Sequence, residues 1–293
     1  MIATGSMQAS MPDGPQVTVR RHEVVLEGLR LGTLTVTPHG PHDPSPLIVT
    51  LGIMAHLDIS EEQRFWLLAD RLRRPVVAID TPGWTRRGGA LPTAVRARLR
   101  RGGFDWLARM LGTVVVEANP GVLDARPSVL GYSLGASTGS ALASDLTARG
   151  ARLRGLTLVE PVAVRRQSLV ELGWRNLRDA RHNRRYAVEN NDVAWAYPTV
   201  SRPPMPRAIE LGLLVWAISR GQIPQTVRSL PRNTPIMIIS GERSTLAPMS
   251  AMHRLVIQLR RQGRPVHQHV VPGAHHALWN SLTQVDQVVE RIV

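Results

Sequence analysis

The 293-residue chain reads as an α/β protein: a mostly parallel sheet of eight strands, covered by helices and carrying a helical insertion. Three observations predict this. Short β-branched apolar runs alternate with longer amphipathic stretches along most of the chain. Roughly 70 residues between Glu160 and Pro235 hold several helical patterns and no clear strand, too long for a plain crossover. Finally, the run GYSLG, residues 131–135, falls where a predicted strand hands over to a predicted helix.

Residues 1–16 lack both a basic and an apolar segment of the kind a secretory leader needs, and are expected to form a flexible lead. The apolar runs at 16–26 and 29–38 predict a hairpin-like start. PLIVTLG (46–52) then predicts the first parallel strand. A helix over 61–73 follows from Phe65, Leu68 and Leu72 at helical spacing, and PVVAID (75–80) gives the next strand. The stretch 104–118 is again helical, PSVLGYS (127–133) is a strand, and the small-residue run 137–150 is a helix stopped by Gly150. After the strand GLTLVEP (155–161) comes the insertion, 161–230, with helical stretches at 168–191 and 206–221 around the proline-rich SRPPMP. It is expected to cap a site, with Trp174, Trp195, Tyr197 and Trp216 excluding water. PIMIISGE (235–242), PVHQHVVPG (265–273) and a closing helix over 276–293 complete a core of residues 17–160 and 231–293.

Composition narrows the function classes. A hydrophobic content of 43% provides a sizeable core, yet the longest apolar runs, such as 211–218, fall well short of the ~20 residues that cross a bilayer. No membrane span is expected, and the cytoplasm is the expected compartment. The absence of cysteine excludes disulfides, thiol chemistry and Cys-ligated zinc. The net charge of +14 comes from arginine alone, scattered in ones and twos without interleaved aromatics, so nucleic acid is not an expected partner. The insertion concentrates the excess, with 11 Arg against 5 acidic residues. This predicts an apolar pocket with a basic rim, suited to anionic substrates.

Gly131, Tyr132, Ser133, Leu134 and Gly135 fit the G-x-S-x-G pattern, in which a serine is exposed on a strained strand-to-helix turn. The flanking glycines matter because a side chain at either place would collide with the adjoining strand or helix. Ser133 is therefore a candidate nucleophile. The paired His275 and His276 are poor metal ligands without a patterned carboxylate nearby, so no metal is expected.

With these motifs the chain resembles an α/β-hydrolase, an eight-stranded sheet with an inserted helical cap, from about residue 17 onward. The resemblance implies an oxyanion loop at LGIMA, where Leu51 stands in place of the usual His. It places oxyanion donors on the backbone of Ile53 and Leu134, which needs no His side chain. Gly52, Met54, Tyr132 and Trp279 are candidate substrate contacts. DTPGW (80–84) is similar to the family's turn after the following strand, with Asp80 tying the turn and Arg86 and Arg87 at a rim or in water. VVPGAHHALWN is similar to the loop that carries the catalytic base, which selects His276 over His275. The family's usual acid position falls on Ser244, in GERSTLAP, which holds no charge. Glu160, at the end of the preceding strand, is the expected replacement, with Glu242 as competitor and a site without a third member also open.

The resemblance implies a serine hydrolase that forms an acyl-enzyme on Ser133, acting on a small-molecule carboxylic ester or related acyl bond without a cofactor. The same layout also serves thioesterases, lactonases, carbon–carbon bond hydrolases and cofactor-free peroxidases. With Ser244 in the acid's place, an elimination, acyl-transfer or lyase step, or an inactive binding protein, stays open. Neither the acyl chain nor the oligomeric state is written in the motifs.

Overall fold

The computed structural model describes residues 4–9, 14–53, 55–83, 89–197 and 207–293. Strand β1 (Thr4–Ala9) pairs antiparallel with β2 (Val17–Leu26), and β2 pairs antiparallel with β3 (Leu29–Pro38). The parallel part follows: β4 (Leu47–Thr50), β5 (Val76–Ile79), β6 (Ser128–Tyr132), β7 (Gly155–Val159), β8 (Ile236–Gly241) and β9 (Val266–Val271). Among the described residues the sheet runs in the order β1-β2-β3-β5-β4-β6-β7-β8-β9, with β3 joining β5 antiparallel. Every residue of β4, β5, β6 and β7 is buried, as expected of parallel strands covered on both faces.

All eight expected strands form. The ninth, β1, corrects the expectation that the lead is wholly flexible. Without β1 the outer edge of β2 would carry a row of unpaired backbone groups, and a segment a few residues away in the chain satisfies them without any hydrophobic pattern. Nothing in TGSMQA marks a strand, because backbone pairing needs no side-chain signal.

Ten helices cover the sheet among the described residues: α1 (Ile59–Leu72), α2 (Thr93–Arg100), α3 (Asp105–Ala118), α4 (Leu134–Ala148), α5 (Leu169–Ala180), α6 (Asn183–Glu189), α7 (Ala208–Ser219), α8 (Ile223–Arg228), α9 (Met249–Arg261) and α10 (Leu282–Val288). Side chains alternate across each strand, so β6 sends Val129 to one face and Leu130 to the other. On the first face Val129 meets Leu111 and Val115 of α3 and Leu142 and Leu146 of α4 in one core. On the second, Leu130 shares a core with Phe65 and Leu68 of α1 and Leu282 and Val285 of α10. Helix α1 starts where it does because Asp58 accepts from the backbone of Ser60 and Glu61, satisfying two of its orphan donors.

Some expected helices are differently divided. The expected closing helix is broken at Ser281, whose extended backbone and side chain cap α10 after a 3-10 turn over His276–Asn280. The stretch 168–191 is two helices, α5 and α6, and α2 and α9 lie where no element was assigned. No helix among the described residues is long and apolar enough to cross a membrane.

Two features of the topology position the site. The chain passes from β4 to β5 on one side and then returns to β6 on the other, so the order reverses at β4, and a crevice opens beyond the carboxyl ends of β4 and β6. The insertion, α5 to α8, leaves from the carboxyl end of β7 and rejoins at β8.

Candidate active site

Ser133 stands between the end of β6 and the start of α4 with φ 56° and ψ −112°, a left-handed conformation that costs a non-glycine residue on the order of 1 kcal/mol or more. The neighbouring glycines make that turn possible. A Cβ on Gly131 would stand 2.1 Å from the carbonyl oxygen of Gly135, and one on Gly135 would stand 2.1 Å from the carbonyl oxygen of Thr50. The turn is locked further by Ser133 N, which donates to Val159 O at 3.0 Å, and by Thr50 Oγ1, which donates to Gly135 O at 2.7 Å.

His276 meets this serine from the far end of the sequence. Its Nε2 lies 2.9 Å from Ser133 Oγ, and its Nδ1 lies 2.8 Å from Glu160 Oε2. A carboxylate only accepts, so the imidazole proton sits on Nδ1 and leaves Nε2 to accept from the serine hydroxyl. Behind the ring, Tyr132 stacks on His276 at 5.6 Å between centroids and donates through its hydroxyl to His276 O. Burial holds the Tyr132 phenol well above its usual range, so it is a fixed donor.

Glu160 is fully buried, just past the end of β7, with φ 51°. A carboxylate so placed is costly unless hydrogen-bonded. Three donors surround it: His276 Nδ1, Ser244 Oγ at 2.6 Å, and Gly241 N. Ser244 is in turn fixed by Ala247 N, which donates to its Oγ at 3.1 Å.

The competitors fall elsewhere. Glu242 is exposed and accepts from Gly273 N. His275 stacks on His182 with centroids 3.5 Å apart and approaches Asp179, away from the serine. Arg165, five residues beyond Glu160, pairs with Glu171. Asp80 accepts from Leu57 N at 2.8 Å and packs against Gly32, tying the turn.

A cavity of about 230 Å³ opens on Ser133 and His276. Ile53 and Tyr132 are on its wall. Leu134 is the first residue of α4, so its N–H is one of the orphan donors of a helix start. Two expected contacts are corrected: Gly52 and Trp279 stand behind Tyr132 rather than on the wall. A Cβ on Gly52 would come within 3.0 Å of the Tyr132 ring, and Trp279 stacks on the ring's neighbourhood at 5.8 Å, buried in the core. Met54, Arg86, Arg87 and the SRPPMP segment lie outside the described residues.

The insertion contributes differently from expectation. Its inward face is α5, where Asn176, Asp179 and Ala180 line the cavity, while Val170, Trp174 and Leu177 on the opposite side face solvent. Tyr197 and Trp216 are also exposed, and Trp195 is half-buried against the core, so none of the four aromatics lines the cavity. Nor do the described residues form a basic rim. Arg165 and Arg175 are engaged by Glu171, Arg185 by Glu189 and Arg207 by Glu210, and no arginine is on the cavity wall among the described residues. The wall carries two carboxylates, Glu61 and Asp179. Charge counting along the sequence missed this, since a helix shows a cavity only the residues on one stripe.

Comparison with known proteins agrees with this architecture. The chain is similar in structure to a thermostable carboxyl esterase from Bacillus coagulans, at TM-score 0.65 and 17% identity over 94% of this chain and 96% of that one. It is similar to a lipase in its open form, at TM-score 0.62 and 18% identity over 93% and 100% of the chains. It is also similar to a bromoperoxidase from Bacillus anthracis, at TM-score 0.61 and 11% identity over 93% and 99%. At these identities the likeness is one of fold. No curated protein matches the chain in sequence. The model of a family described as "Alpha/beta hydrolase family" matches residues 36–291. With the order of its strands, the turn at Ser133 and that match together, the chain belongs to the alpha/beta hydrolase family.

Proposed function

We propose that the protein is a serine hydrolase cleaving a carboxylic ester or related acyl bond through an acyl-enzyme on Ser133. The observation that carries this is the continuous hydrogen-bonded line Ser133 Oγ, His276 Nε2, His276 Nδ1, Glu160 Oε2, with links of 2.9 and 2.8 Å. Ser133 Oγ attacks the acyl carbon as its proton passes to His276 Nε2, and Glu160 stabilises the imidazolium that forms. The oxyanion is held by the N–H groups of Ile53 and Leu134. His276 then gives the proton to the departing alkoxide, the alcohol leaves, and the acyl group stays on Ser133. Water, deprotonated by the same imidazole, releases the acid and restores the serine. The inserted helices act as the cap. The presence of Glu160 in the line removes the reason Ser244 offered for a non-hydrolytic or inactive protein.

The test is labelling by a fluorophosphonate, read as a mass increase on the intact chain. The parent and His275→Ala are expected to label, and Ser133→Ala and His276→Ala are not. Labelling of Ser133→Ala at the parent rate, or none in the parent, overturns the proposal.

A further inference from the structure

Two loops bear on the acid and the base, and the insertion grips both. Asp179, buried near the end of α5, turns its Oδ2 to the loop after β8. That oxygen accepts from Thr245 N at 2.9 Å, Thr245 Oγ1 at 2.8 Å and Leu246 N at 2.7 Å, directly beyond Ser244, the donor to Glu160. Arg175, one turn earlier in α5, donates from Nη1 to Thr245 O at 3.3 Å. The other oxygen of Asp179 lies 3.7 Å from Nδ1 of His275, the residue before the base. The turn that carries the base, His276–Asn280, is held at both ends. At its start His275 N donates to the hydroxyl of Tyr186, a buried residue of α6, at 3.1 Å, and the His275 ring stacks on His182. At its exit the side-chain amide of Asn190, the residue after α6, makes two bonds: Nδ2 donates to Asn280 O at 2.8 Å, and Oδ1 accepts from Leu282 N at 2.8 Å.

We infer that the insertion is the frame that sets His276 against Glu160, with Asp179 and Asn190 as its positioning residues. The inference rests on the hydrolase proposal for the reaction it serves. Asp179 fixes the loop from which Ser244 reaches the acid. Asn190 and Tyr186 fix the two ends of the turn from which the imidazole reaches it, so one inserted segment places both partners. The links of 2.9 and 2.8 Å along the line leave little room for error, and a misplacement of about 1 Å costs on the order of 10²-fold in rate. A hinged lid would act differently, since it governs entry and release and leaves the base where it is. Here, lifting α5 and α6 from the sheet would break the bonds at Thr245, Leu246, His275, Asn280 and Leu282 together. The outward side of α5, with Trp174, takes no part in these bonds.

The experiment has two readings on the whole chain. One is kcat and KM for p-nitrophenyl acetate, per active site titrated with a fluorophosphonate. The other, taken without substrate, is the deshielded proton resonance of His276 Nδ1, assigned by its loss in His276→Ala. Asp179→Ala and Asn190→Ala are each expected to lower kcat by about tenfold or more with KM within about threefold, and to shift or broaden the resonance. Asp179→Asn is expected to bring kcat back to within about threefold, because its amide oxygen takes the loop donors and its nitrogen faces His275 Nδ1 as a donor. Trp174→Ala is expected to match the parent in both readings. If Asp179→Ala does not fold, Asn190→Ala and Tyr186→Phe carry the same expectation. A rise in KM alone, an unmoved resonance, or no recovery in Asp179→Asn overturns the inference. Turnover that ignores these substitutions does so too and leaves the hydrolase proposal standing. A resonance that depends on Asp179 and Asn190 in a protein that neither labels nor turns over ester supports the frame and sinks the hydrolase proposal.

Discussion

Ser244 donates a 2.6 Å hydrogen bond to Glu160, so the residue standing where a family acid was expected instead serves the acid. Glu160 follows β7, one strand along the sheet from β8, after which the resemblance placed an acid, and Ser244 in that later loop is its donor. Ser244→Ala removes one of three donors and is expected to lower kcat about tenfold. Ser244→Asp sets a second carboxylate beside Glu160 in a buried place, where two like charges cannot both persist. It is expected to lose activity and stability. A gain in kcat would show that Glu160 is not the acid.

Glu160→Gln keeps the shape and removes the charge that supports the imidazolium. Turnover is expected to fall by about 10³ to 10⁴, as in the worked triad where acid becomes amide. Glu242→Gln, exposed on the loop that follows β8, is expected to stay within about twofold of the parent. Ester hydrolysis measured side by side separates the two carboxylates.

The turn at Ser133 makes a steric prediction. Gly131→Ala and Gly135→Ala each drive a methyl into backbone carbonyl atoms 2.1 Å away, which cannot step aside. Each is expected to cost about 3 kcal/mol or more, or to prevent folding. Gly173→Ala, inside α5 with nothing near the added carbon, is the counterpart and is expected to stabilise by up to about 1 kcal/mol. Urea denaturation of the three variants reads the contrast.

Asp80 gives a pH dependence. Desolvation raises its carboxyl from 3.8 to about 6, against the opposing bond from Leu57 N and the nearby His56. A fold that prefers the protonated form has this contribution in full below pH 4 and loses it as pH rises through about 6. Asp80→Asn keeps an acceptor for Leu57 N without the charge. It is expected to be more stable than the parent by about 2–3 kcal/mol at pH 7 and no more stable at pH 4. Thermal melts of both proteins from pH 4 to 8 test it. Equal slopes across that range would remove Asp80 as the cause.

The sheet was legible because its strands are short, apolar and bounded by turns, and because β4 to β7, covered on both faces, must be apolar throughout. β1 was not, since it is held by backbone pairing. Ser133 was legible from the two glycines that its turn demands. Glu160 was legible by position, at a strand's carboxyl end, although no motif names it. The wall made by Glu61 and Asp179 was hidden. Those residues are 118 positions apart in the chain, on helices whose other faces carry unrelated charges, and only the fold brings them to one cavity. The aromatics misled for the same reason: Trp174 is two residues from Asn176 and on the other side of the helix.

The place of Glu160, just past the end of β7, bears on how the molecule is assembled. Ser133 and Glu160 now flank a single β-α-β unit, β6, α4 and β7, whose contacts are local and form early. His276 is supplied from beyond the insertion, 116 residues after Glu160 and 143 after Ser133. On the proposed mechanism, a chain that folds in the order of its synthesis would set the serine beside the carboxylate before the base arrives. The hydroxyl would then gain its reactivity only when His276 docks.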